Sequence, residues 1–348
     1  MSDTLLVEPS SISPARRAVA GLLRSRELAV GIVLVLLVLG TTLKSSTFLF
    51  SANGWRDLLL TPALLLLLAI GQTVVIITRN VDLSVGSTLG LTAYLTGTVF
   101  IDHPGIPVAL VFVIGLVFGG LLGVVNGVLV AWGKVPALVI TLGTLYIYRG
   151  VFLSWAGSNR INASDLPASF NALGTKQVLT IPVLTIIGLV VLAAVGYYLH
   201  TARSGRELYA IGSDPEAAVL FGLPIRRRVL AAFVISGALA GLAGVVYTAR
   251  YGTVSSSAGS GMELQAVGAA VIGGVAIFGG SGTVWGAALG AFLLVTINRA
   301  LPILGISDFW QQAVVGALII AAITLDRVLA LREARRLVAA RDEARSHR

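Results

Sequence analysis

Long apolar runs separated by short polar segments dominate the chain, and they predict helices that cross a membrane. A bilayer core of about 30 Å needs roughly 20 apolar residues in a helix. The pattern predicts ten spans, with nine or eleven as the alternatives, and the expected fold class is an all-α, polytopic transmembrane bundle. The spans lie at residues 29–43, 58–77, 84–101, 106–132, 136–155, 178–199, 229–249, 264–278, 283–298 and 309–325.

Composition supports this class and excludes others. Of the 348 residues, 56% are hydrophobic and 12% are charged, whereas a soluble chain is about 25% charged. A water-soluble fold of this length could not hide so much apolar surface. The chain has no cysteine, which excludes disulfides, thiol catalysis and cysteine-ligated metals.

The distribution of basic residues predicts the orientation. Cytoplasmic loops of membrane proteins carry an excess of lysine and arginine. With both termini in the cytoplasm, 18 of the 25 basic residues fall inside, and the opposite orientation inverts this bias. The seven that fall outside are Lys44, Arg56, Arg149, Arg160, Lys176, Arg250 and Arg299.

The same topology divides the chain into three parts. Residues 1–28 form a cytoplasmic N-terminal segment, residues 29–326 form the transmembrane domain, and residues 327–348 form a basic cytoplasmic tail. The transmembrane domain contains a large cytoplasmic loop at residues 200–228. The first apolar run has no small-residue cleavage pattern after it, so it is interpreted as an uncleaved span.

Glycines recur every four residues in two of the predicted spans and form flat stripes on one helix face. Small residues at this spacing let two helices approach closely in a membrane. We therefore expect packing contacts at these stripes, in preference to a pore lining. The stripes are Gly115, Gly119, Gly123 and Gly127, and then Gly282, Gly286 and Gly290.

A short helix with both ends marked is predicted in the cytoplasmic loop, at residues 212–224, which read GSDPEAAVLFGLP. Ser213 and Glu216 have the spacing of a capping box. Asp214 before Pro215 is the competing cap, with proline at the first helical position. Either device supplies acceptors for the unpaired amides of the first turn.

The other end of this helix carries a stop signal. Gly222 suits a left-handed terminating residue, and Pro224 blocks a restart. The whole helix makes barely two turns, with the apolar residues 217–221 in it, and isolated helices this short are marginal in water. The helix therefore needs a surface to lie on. One interpretation is an interfacial helix that turns the chain, and the favoured one is a docking helix for a cytoplasmic motor.

Four stretches of the chain together resemble the permease subunits of ribose-type ABC sugar importers, across about residues 30–326. Within that family the closest likeness is to the rhamnose and autoinducer-2 permeases, on TRNVD at residues 78–82 and ISDFW at 306–310. The four stretches are ELYAIGSDPEAA at 207–218, NVDLSVGS at 80–87, PALVITLGT at 136–144, and GMEL at 261–264 continuing to FGGSG at 278–282.

This resemblance implies a transmembrane subunit that forms the pathway for a monosaccharide or similar small polyol in the bacterial inner membrane. It implies a second permease subunit, identical or related, an ABC ATPase subunit that binds ATP and magnesium, and an extracytoplasmic sugar-binding protein. The chain itself is expected to bind no cofactor and to catalyse no reaction. The ATPase-coupling helix is carried over to Ser213, Asp214, Pro215, Glu216, Ala217, Ala218, Phe221 and Gly222.

Polar groups inside the predicted spans are candidates for the substrate pathway, since polar groups at membrane depth must be paired or line a wet cavity. Each of them alone is more often an interhelical hydrogen bond than a ligand contact. Asp82 or Ser84 is interpreted as a cap of the helix in the third span, and Asp82 can pair with Arg79. A role of Asp82 in gating or in contact with the ATPase is the alternative. The pathway candidates are Gln72, Tyr94, Asn126, Thr141 and Tyr146, with Thr73 beside the first.

Two other functions remain open from the residues. An ion-coupled secondary transporter would usually need an acidic residue or histidine within a span, and the predicted spans leave aspartate and glutamate almost entirely at their ends. A membrane scaffold without transport is the third possibility. No nucleotide site is evident, because the nearest phosphate-loop match, from Gly127 to Lys134, has one residue too many and lacks the serine or threonine. The three histidines show no metal-binding spacing.

Overall fold

The computed structural model describes residues 26–133, 135–310, 312–314, 316–318, 320, 321 and 324. In these ranges it is almost entirely helical, with one two-stranded hairpin formed by Gln177–Val178 (β1) and Ile181–Pro182 (β2). The segment 1–25 and the tail 327–348 lie outside the described residues. The helices are α1 Arg26–Lys44, α2 Thr47–Phe50, α3 Ala52–Leu60, α4 Pro62–Ile77, α5 Val85–Asp102, α6 Val108–Gly133, α7 Ala137–Ala156, α8 Ala168–Asn171, α9 Val183–Thr201, α10 Arg203–Ser213, α11 Pro215–Leu220, α12 Ile225–Tyr251, α13 Met262–Ile272 and α14 Val284–Ile303.

Seven helical stretches among the described residues are long and apolar enough to cross a bilayer, so the protein is a polytopic membrane protein. They are Glu27–Lys44, Asn53–Ile77, Val108–Gly133, Ala137–Ala156, Val183–Thr201, Ile225–Tyr251 and Val284–Ile303. The third predicted span forms α5, whose serine, threonine and glycine residues keep it outside this set. The eighth forms α13, of 11 residues. The tenth lies partly outside the described residues.

The sixth span begins later than its apolar run suggests. Residues 177–182 form the hairpin, whose turn residues Leu179 and Thr180 have φ of 49° and 70°. The helix α9 begins only at Val183, directly after Pro182. An apolar run alone does not separate a strand from the first turn of a helix, which explains the shift.

Helices α4, α5 and α12 form the centre of the bundle. All residues of α4 from Pro62 to Ile77 are buried, as expected for a helix that is hydrophobic on every side. Helix α12 packs most extensively against α6, then against α5 and α4. The outer helices α1, α6, α7 and α9 leave large apolar side chains exposed. The less apolar α5 is tolerated because the bundle shields it.

Glycine stripes bring α6 and α12 into backbone contact, which confirms the packing interpretation. A Cβ added at Gly119 would overlap the carbonyl oxygen of Gly237, and one added at Gly123 would overlap that of Phe233. The paired positions run in opposite directions, so the two helices are antiparallel. In the second stripe, Gly290 contacts the backbone of α13 in the same manner.

Gly282 departs from the second stripe. It precedes α14 and has a φ of 130°, a conformation that side chains rarely adopt. Helices α13 and α14 are thus two elements joined by residues 273–283, and they pack against each other through Gly273 and Gly286.

Two non-helical segments reach α5 from opposite ends of the bundle. Residues 78–84 enter from the end of α4, and the backbone of Asp82 hydrogen-bonds the side chain of Gln72, more than a turn back along that helix. Residues 252–261 enter from the end of α12 and contact Gly86 and Gly90 near the start of α5. Non-helical backbone at membrane depth is tolerated where protein covers it.

Spans that alternate in direction place successive loops at opposite ends of the bundle. The loops that contact one another at each end agree with this assignment. At the end that carries α11, hereafter the α11 end, residues 77–80 contact residues 212–213 and 278–280. At the opposite end Lys44 donates to the carbonyl of Leu304, and Arg250 pairs with Asp57 at 3.3 Å.

Candidate functional site

Helix α11 is a short, separately capped element. The side chain of Asp214 accepts hydrogen bonds from the backbone N–H groups of Glu216 and Ala217, both at 3.0 Å. Of the two caps that the sequence allows, the structure uses Asp214 with Pro215 at the first helical position. Ser213 is instead the last residue of α10, so the helix is shorter than the predicted segment 213–222.

The end of α11 is closed by a glycine, as predicted. Gly222 has a φ of 71°. The N–H of Gly222 donates to the carbonyl of Val219, and the N–H of Leu223 donates to that of Ala218. This is the Schellman arrangement, in which a left-handed residue satisfies the last carbonyls of a helix.

Helix α11 presents apolar side chains away from the rest of the chain. Ala218 is buried against the protein, whereas the last apolar residues before Gly222 are exposed: Val219 at 63%, Leu220 at 87% and Phe221 at 84%. Three large apolar side chains at this exposure are costly in water, because each one would gain about 1.5–3 kcal/mol on full burial. They therefore form a surface that suits a partner or a lipid layer.

Arg79 connects this region to the end of α4. Arg79 donates from Nε to the carbonyl of Gly212 at 2.5 Å and from Nη2 to the carbonyl of Ser213 at 2.7 Å. Gly212 lies so close to Ile77 that a Cβ there would overlap the Ile77 carbonyl oxygen, and the N–H of Gly280 donates to that same oxygen at 2.9 Å. Arg79 does not pair with Asp82, contrary to the expectation from their spacing.

An ion-pair network fixes α10 to the start of α12. Glu207, whose side chain is 9% exposed, pairs with Arg228 at 2.5 Å and with Arg203 at 2.9 Å. The hydrogen bond from Arg228, helped by that from Arg203, holds the pKa of Glu207 below its ordinary value. Tyr209 on the same helix donates to the carbonyl of Gly282, and burial raises the pKa of its hydroxyl, which keeps this donor protonated.

Asp82 lies inside the bundle at the centre of a polar cluster. Its Oδ1 accepts from the backbone N–H and the hydroxyl of Ser84 at 3.0 and 2.7 Å, and its Oδ2 accepts from Ser236 at 3.1 Å. Asn126 donates to Ser84 at 2.7 Å. The expectation that acidic residues stay at the span ends therefore fails for Asp82, since the segment carrying it folds back into the bundle.

Three of the five pathway candidates belong to the scaffold of this segment. Gln72 bonds both backbone groups of Asp82, Asn126 belongs to the Asp82 cluster, and Thr141 donates to the carbonyl of Val81 at 3.1 Å. All three are buried. In this structure their polar atoms hold residues 81–84 in place, which is the interhelical role that the sequence also allowed. A pathway role for them stays a prediction.

The other two pathway candidates differ in burial. Tyr94 is buried and contacts the rings of Phe152 and Trp155, with centroids at 5.7 and 5.2 Å. Tyr146 is 68% exposed on the outer face of α7, where a second subunit, lipid or the pathway could meet it. The structure therefore does not bring the five candidates together around one cavity.

Two contacts were not predicted from the sequence: the hydrogen bonds of Arg79 to Gly212 and Ser213, and the ion pair of Glu207 with Arg228. The sequence analysis expected Arg79 to pair with Asp82, and no sequence spacing shows that a residue 133 positions later accepts its hydrogen bond. The backbone conformation of Arg79 was not predictable either. Its φ is 63°, a left-handed value for which glycine would be the usual signal in the sequence. Within the described residues no group of three or more histidine, aspartate or glutamate side chains could hold a metal ion.

Comparison with known proteins places these features in a family. The family described as "Branched-chain amino acid transport system / permease component" matches residues 55–323. The autoinducer 2 import system permease protein LsrC of Enterobacter sp. (strain 638) is 35% identical over 305 residues, covering 88% of both chains. The same protein from Salmonella choleraesuis is 39% identical over 263 residues, covering 76% of this chain and 75% of the relative. No solved structure is significantly similar.

These matches decide between the functions that the residues left open. A permease of this family is a transport subunit without catalytic activity, and it binds no cofactor because ATP is used by a partner ATPase. The family also implies a binding-protein partner. Its members are multi-pass membrane proteins, and the relatives are bacterial. The expectations of an ATP-driven importer subunit and of the ribose-type permease family are thus confirmed. The chain belongs to this permease family and is the permease component of an ABC importer.

Proposed function

We propose that the chain forms the translocation pathway for a small sugar-like solute related to autoinducer 2, with both termini in the cytoplasm. The relatives that match this chain over most of its length carry autoinducer 2 import in their names. Ribose and rhamnose are the comparison solutes. Uptake into vesicles that contain the purified complex tests this choice: autoinducer 2 should compete against its own uptake more strongly than either sugar. Competition by ribose or rhamnose at lower concentration would reject it.

In this proposal α11 is the coupling helix and inserts into a cleft of the ATPase. The observation that carries it is the exposed apolar group of Val219, Leu220 and Phe221 on a helix with both ends capped. Capping stabilises the helix, and the exposed apolar side chains favour a partner surface for it to lie on. Closure of the ATPase dimer on ATP then moves α11. The dimer of permeases, the ten spans and the residues 213–222 as the contact belong to the same proposal.

Cross-linking from α11 tests the contact. The chain has no cysteine, so Phe221→Cys introduces one thiol, to which a short photo-activated cross-linker can be attached. We expect a product with the ATPase subunit in the assembled complex. Leu179→Cys, also strongly exposed but at the opposite end, is the matched control and should give none. Products with phospholipid alone, from a complex that still transports, would reject the coupling role and favour the interfacial helix.

A further inference from the structure

A cavity of about 480 Å³ opens at the α11 end of the bundle, between the end of α9, helix α10 and the start of α14. Its lining includes Gly196, Leu199, His200, Arg206, Val284 and Trp285. The candidate membrane span Val183–Thr201 ends at this cavity, and the span Val284–Ile303 begins at it. The cavity is therefore placed at the boundary between acyl chains and lipid headgroups, since the spans cover the apolar thickness of the bilayer.

The polar side of the cavity is cationic. Arg206 is exposed, and its Nη1 donates to the carbonyl of Thr201 at 2.6 Å, which holds the guanidinium at the end of α9. In the part of the chain that the structure describes, no carboxylate lies within 4.0 Å of Arg206. The neighbouring Glu207 is occupied by Arg203 and Arg228. Glu27 accepts a hydrogen bond from Thr283, which lines the cavity, but Glu27 itself is not among the lining residues.

Two further polar groups of the lining are already paired: the hydroxyls of Tyr209 and Thr283 donate to the carbonyl of Gly282 and to Glu27. In the described part of the chain, the Trp285 indole is a donor without such a partner. Trp285 lies against Gly196, where a Cβ would sit 3.3 Å from the indole nitrogen. This N–H has no hydrogen-bond acceptor within the described ranges, and the side chain is half exposed. Tryptophan is enriched at membrane interfaces, where the ring contacts apolar chains and the N–H contacts headgroups. His200 adds a second ring N–H at the same level.

The other side of the cavity is apolar and continues along α9. Leu199 and Val284 form its wall. Leu189 is exposed and lies seven residues before Gly196, on the same helix face. A ligand that fits both sides carries a negative headgroup and a hydrocarbon chain.

We propose that this cavity binds the phosphate headgroup of an anionic membrane phospholipid. Arg206, His200 and the Trp285 N–H donate to the headgroup, and one acyl chain lies along α9 past Leu189. A zwitterionic lipid is disfavoured because its ammonium group would lie near an arginine that has no counter-charge. Free phosphate has the same charge but gains nothing from the apolar side. Basic cavities between transmembrane helices at one membrane face bind anionic lipids in this manner.

Native mass spectrometry of the purified, delipidated chain tests the proposal, with phosphatidylglycerol and phosphatidylcholine of equal chain length as probes. We expect one phosphatidylglycerol to be retained at lower concentration than phosphatidylcholine. Arg206→Gln should weaken its retention about fivefold, because a basic residue near an anionic lipid surface contributes about 1 kcal/mol. Arg227→Gln removes the same charge from an exposed position outside the cavity and should leave retention unchanged.

Further arms separate the alternatives. Trp285→Phe keeps an aromatic ring, although a smaller one, and removes the N–H donor, and it should weaken retention about threefold without loosening the α9–α10 turn that Arg206 holds. Equal retention of both lipids, or equal effects of the Arg206 and Arg227 variants, would overturn the proposal. So would complete competition by millimolar inorganic phosphate, which would assign the cavity to a free anion, or release of the lipid when the ATPase subunit is added, which would assign it to the ATPase contact.

Discussion

Arg79 donates a hydrogen bond of 2.5 Å to the carbonyl oxygen of Gly212, which lies 133 residues further along the chain. The same guanidinium reaches Ser213, directly before the capped helix α11. Arg79 also belongs to the segment 78–84, which contains the buried Asp82. A displacement of α11 would therefore be transmitted towards the centre of the bundle by this planar side chain, whose two donors hold consecutive carbonyls, together with the backbone contact of Gly212 with Ile77.

Replacing Arg79 with lysine should reduce ATP-driven uptake at least about fivefold, which is the lower end of a typical coupling free energy between sites. A lysine ammonium cannot reproduce two donors in a fixed plane. Membrane insertion and the amount of purified chain should stay normal, since the carbonyls can bond to water. Arg227→Lys, an exposed arginine on the same side of the protein, is the control. Full uptake by the Arg79 variant would remove Arg79 from the coupling route.

Substitutions at Asp82 distinguish a structural role of this side chain from a role in ion coupling. Asp82→Asn keeps an oxygen for Ser84 and an amide that can donate to the hydroxyl of Ser236, so we expect normal folding and near-normal ATP-driven uptake. Asp82→Leu has the right size but leaves several buried donors without an acceptor, at about 1–3 kcal/mol each, and should lower the yield of folded protein. Vesicle uptake and thermal melting of the purified chain measure both. An asparagine variant that folds but does not transport would show that the carboxyl itself is needed.

Gly119 tests the contact between α6 and α12. An added methyl group in Gly119→Ala overlaps the Gly237 carbonyl oxygen, so the helices must separate, at a cost of about 1–3 kcal/mol. Gly120→Ala is the matched control on the next residue, where the nearest atom to the new Cβ is 3.7 Å away. Thermal melting in detergent should fall for the first variant and remain unchanged or rise for the second. Equal melting temperatures would show that the contact is looser than described.

The Glu207 network should make stability depend on pH in a defined direction. The pKa of Glu207 is lowered in the folded state. The contribution of the ionised carboxylate to the free energy of unfolding is therefore present at a pH above the ordinary glutamate pKa of about 4.3. It is lost as the pH falls towards the folded-state pKa. The melting temperature of the native chain should exceed that of Glu207→Gln at pH 7. This difference should shrink below about pH 4. A difference that grows with acidity would contradict the assigned direction.

Gly222 tests the closure of α11. Gly222→Val places a β-branched residue at a φ of 71°, which costs roughly 1–2 kcal/mol, although no neighbouring atom obstructs the side chain. We expect less ATPase to co-purify with this variant and membrane insertion to be normal. Gly105→Val, at an exposed glycine without a positive φ and with nothing nearby, should leave co-purification intact. Unchanged co-purification of both would reject the role of the helix end.

The elements with local signals were predictable, and those that depend on distant partners were not. Apolar runs indicated most of the helices, and the caps of α11 followed from Asp214, Pro215 and Gly222 because capping involves neighbouring residues. The stripe around Gly119 predicted close packing but not its partner α12. The depth of Asp82 was missed, because a polar loop and a segment folded back into the bundle have the same local sequence. The pathway candidates were equally ambiguous, because a polar residue within a span has the same local sequence whether it bonds another helix or contacts a solute.

The backbone contact between α6 and α12 also limits how the permease can open. Backbone atoms of α12 lie directly against Gly119 and Gly123, so the middle of the contact has no side chains that could change rotamer and absorb sliding. Side chains enter only towards its ends, from Val245 at Gly115 and Leu230 at Gly127. The two helices are therefore expected to travel as one rigid body during the transport cycle. Solute passage then has to come from displacement of that pair against its surroundings, and distance measurements between spin labels on α6 and α12 should give a single narrow distribution with and without ATP.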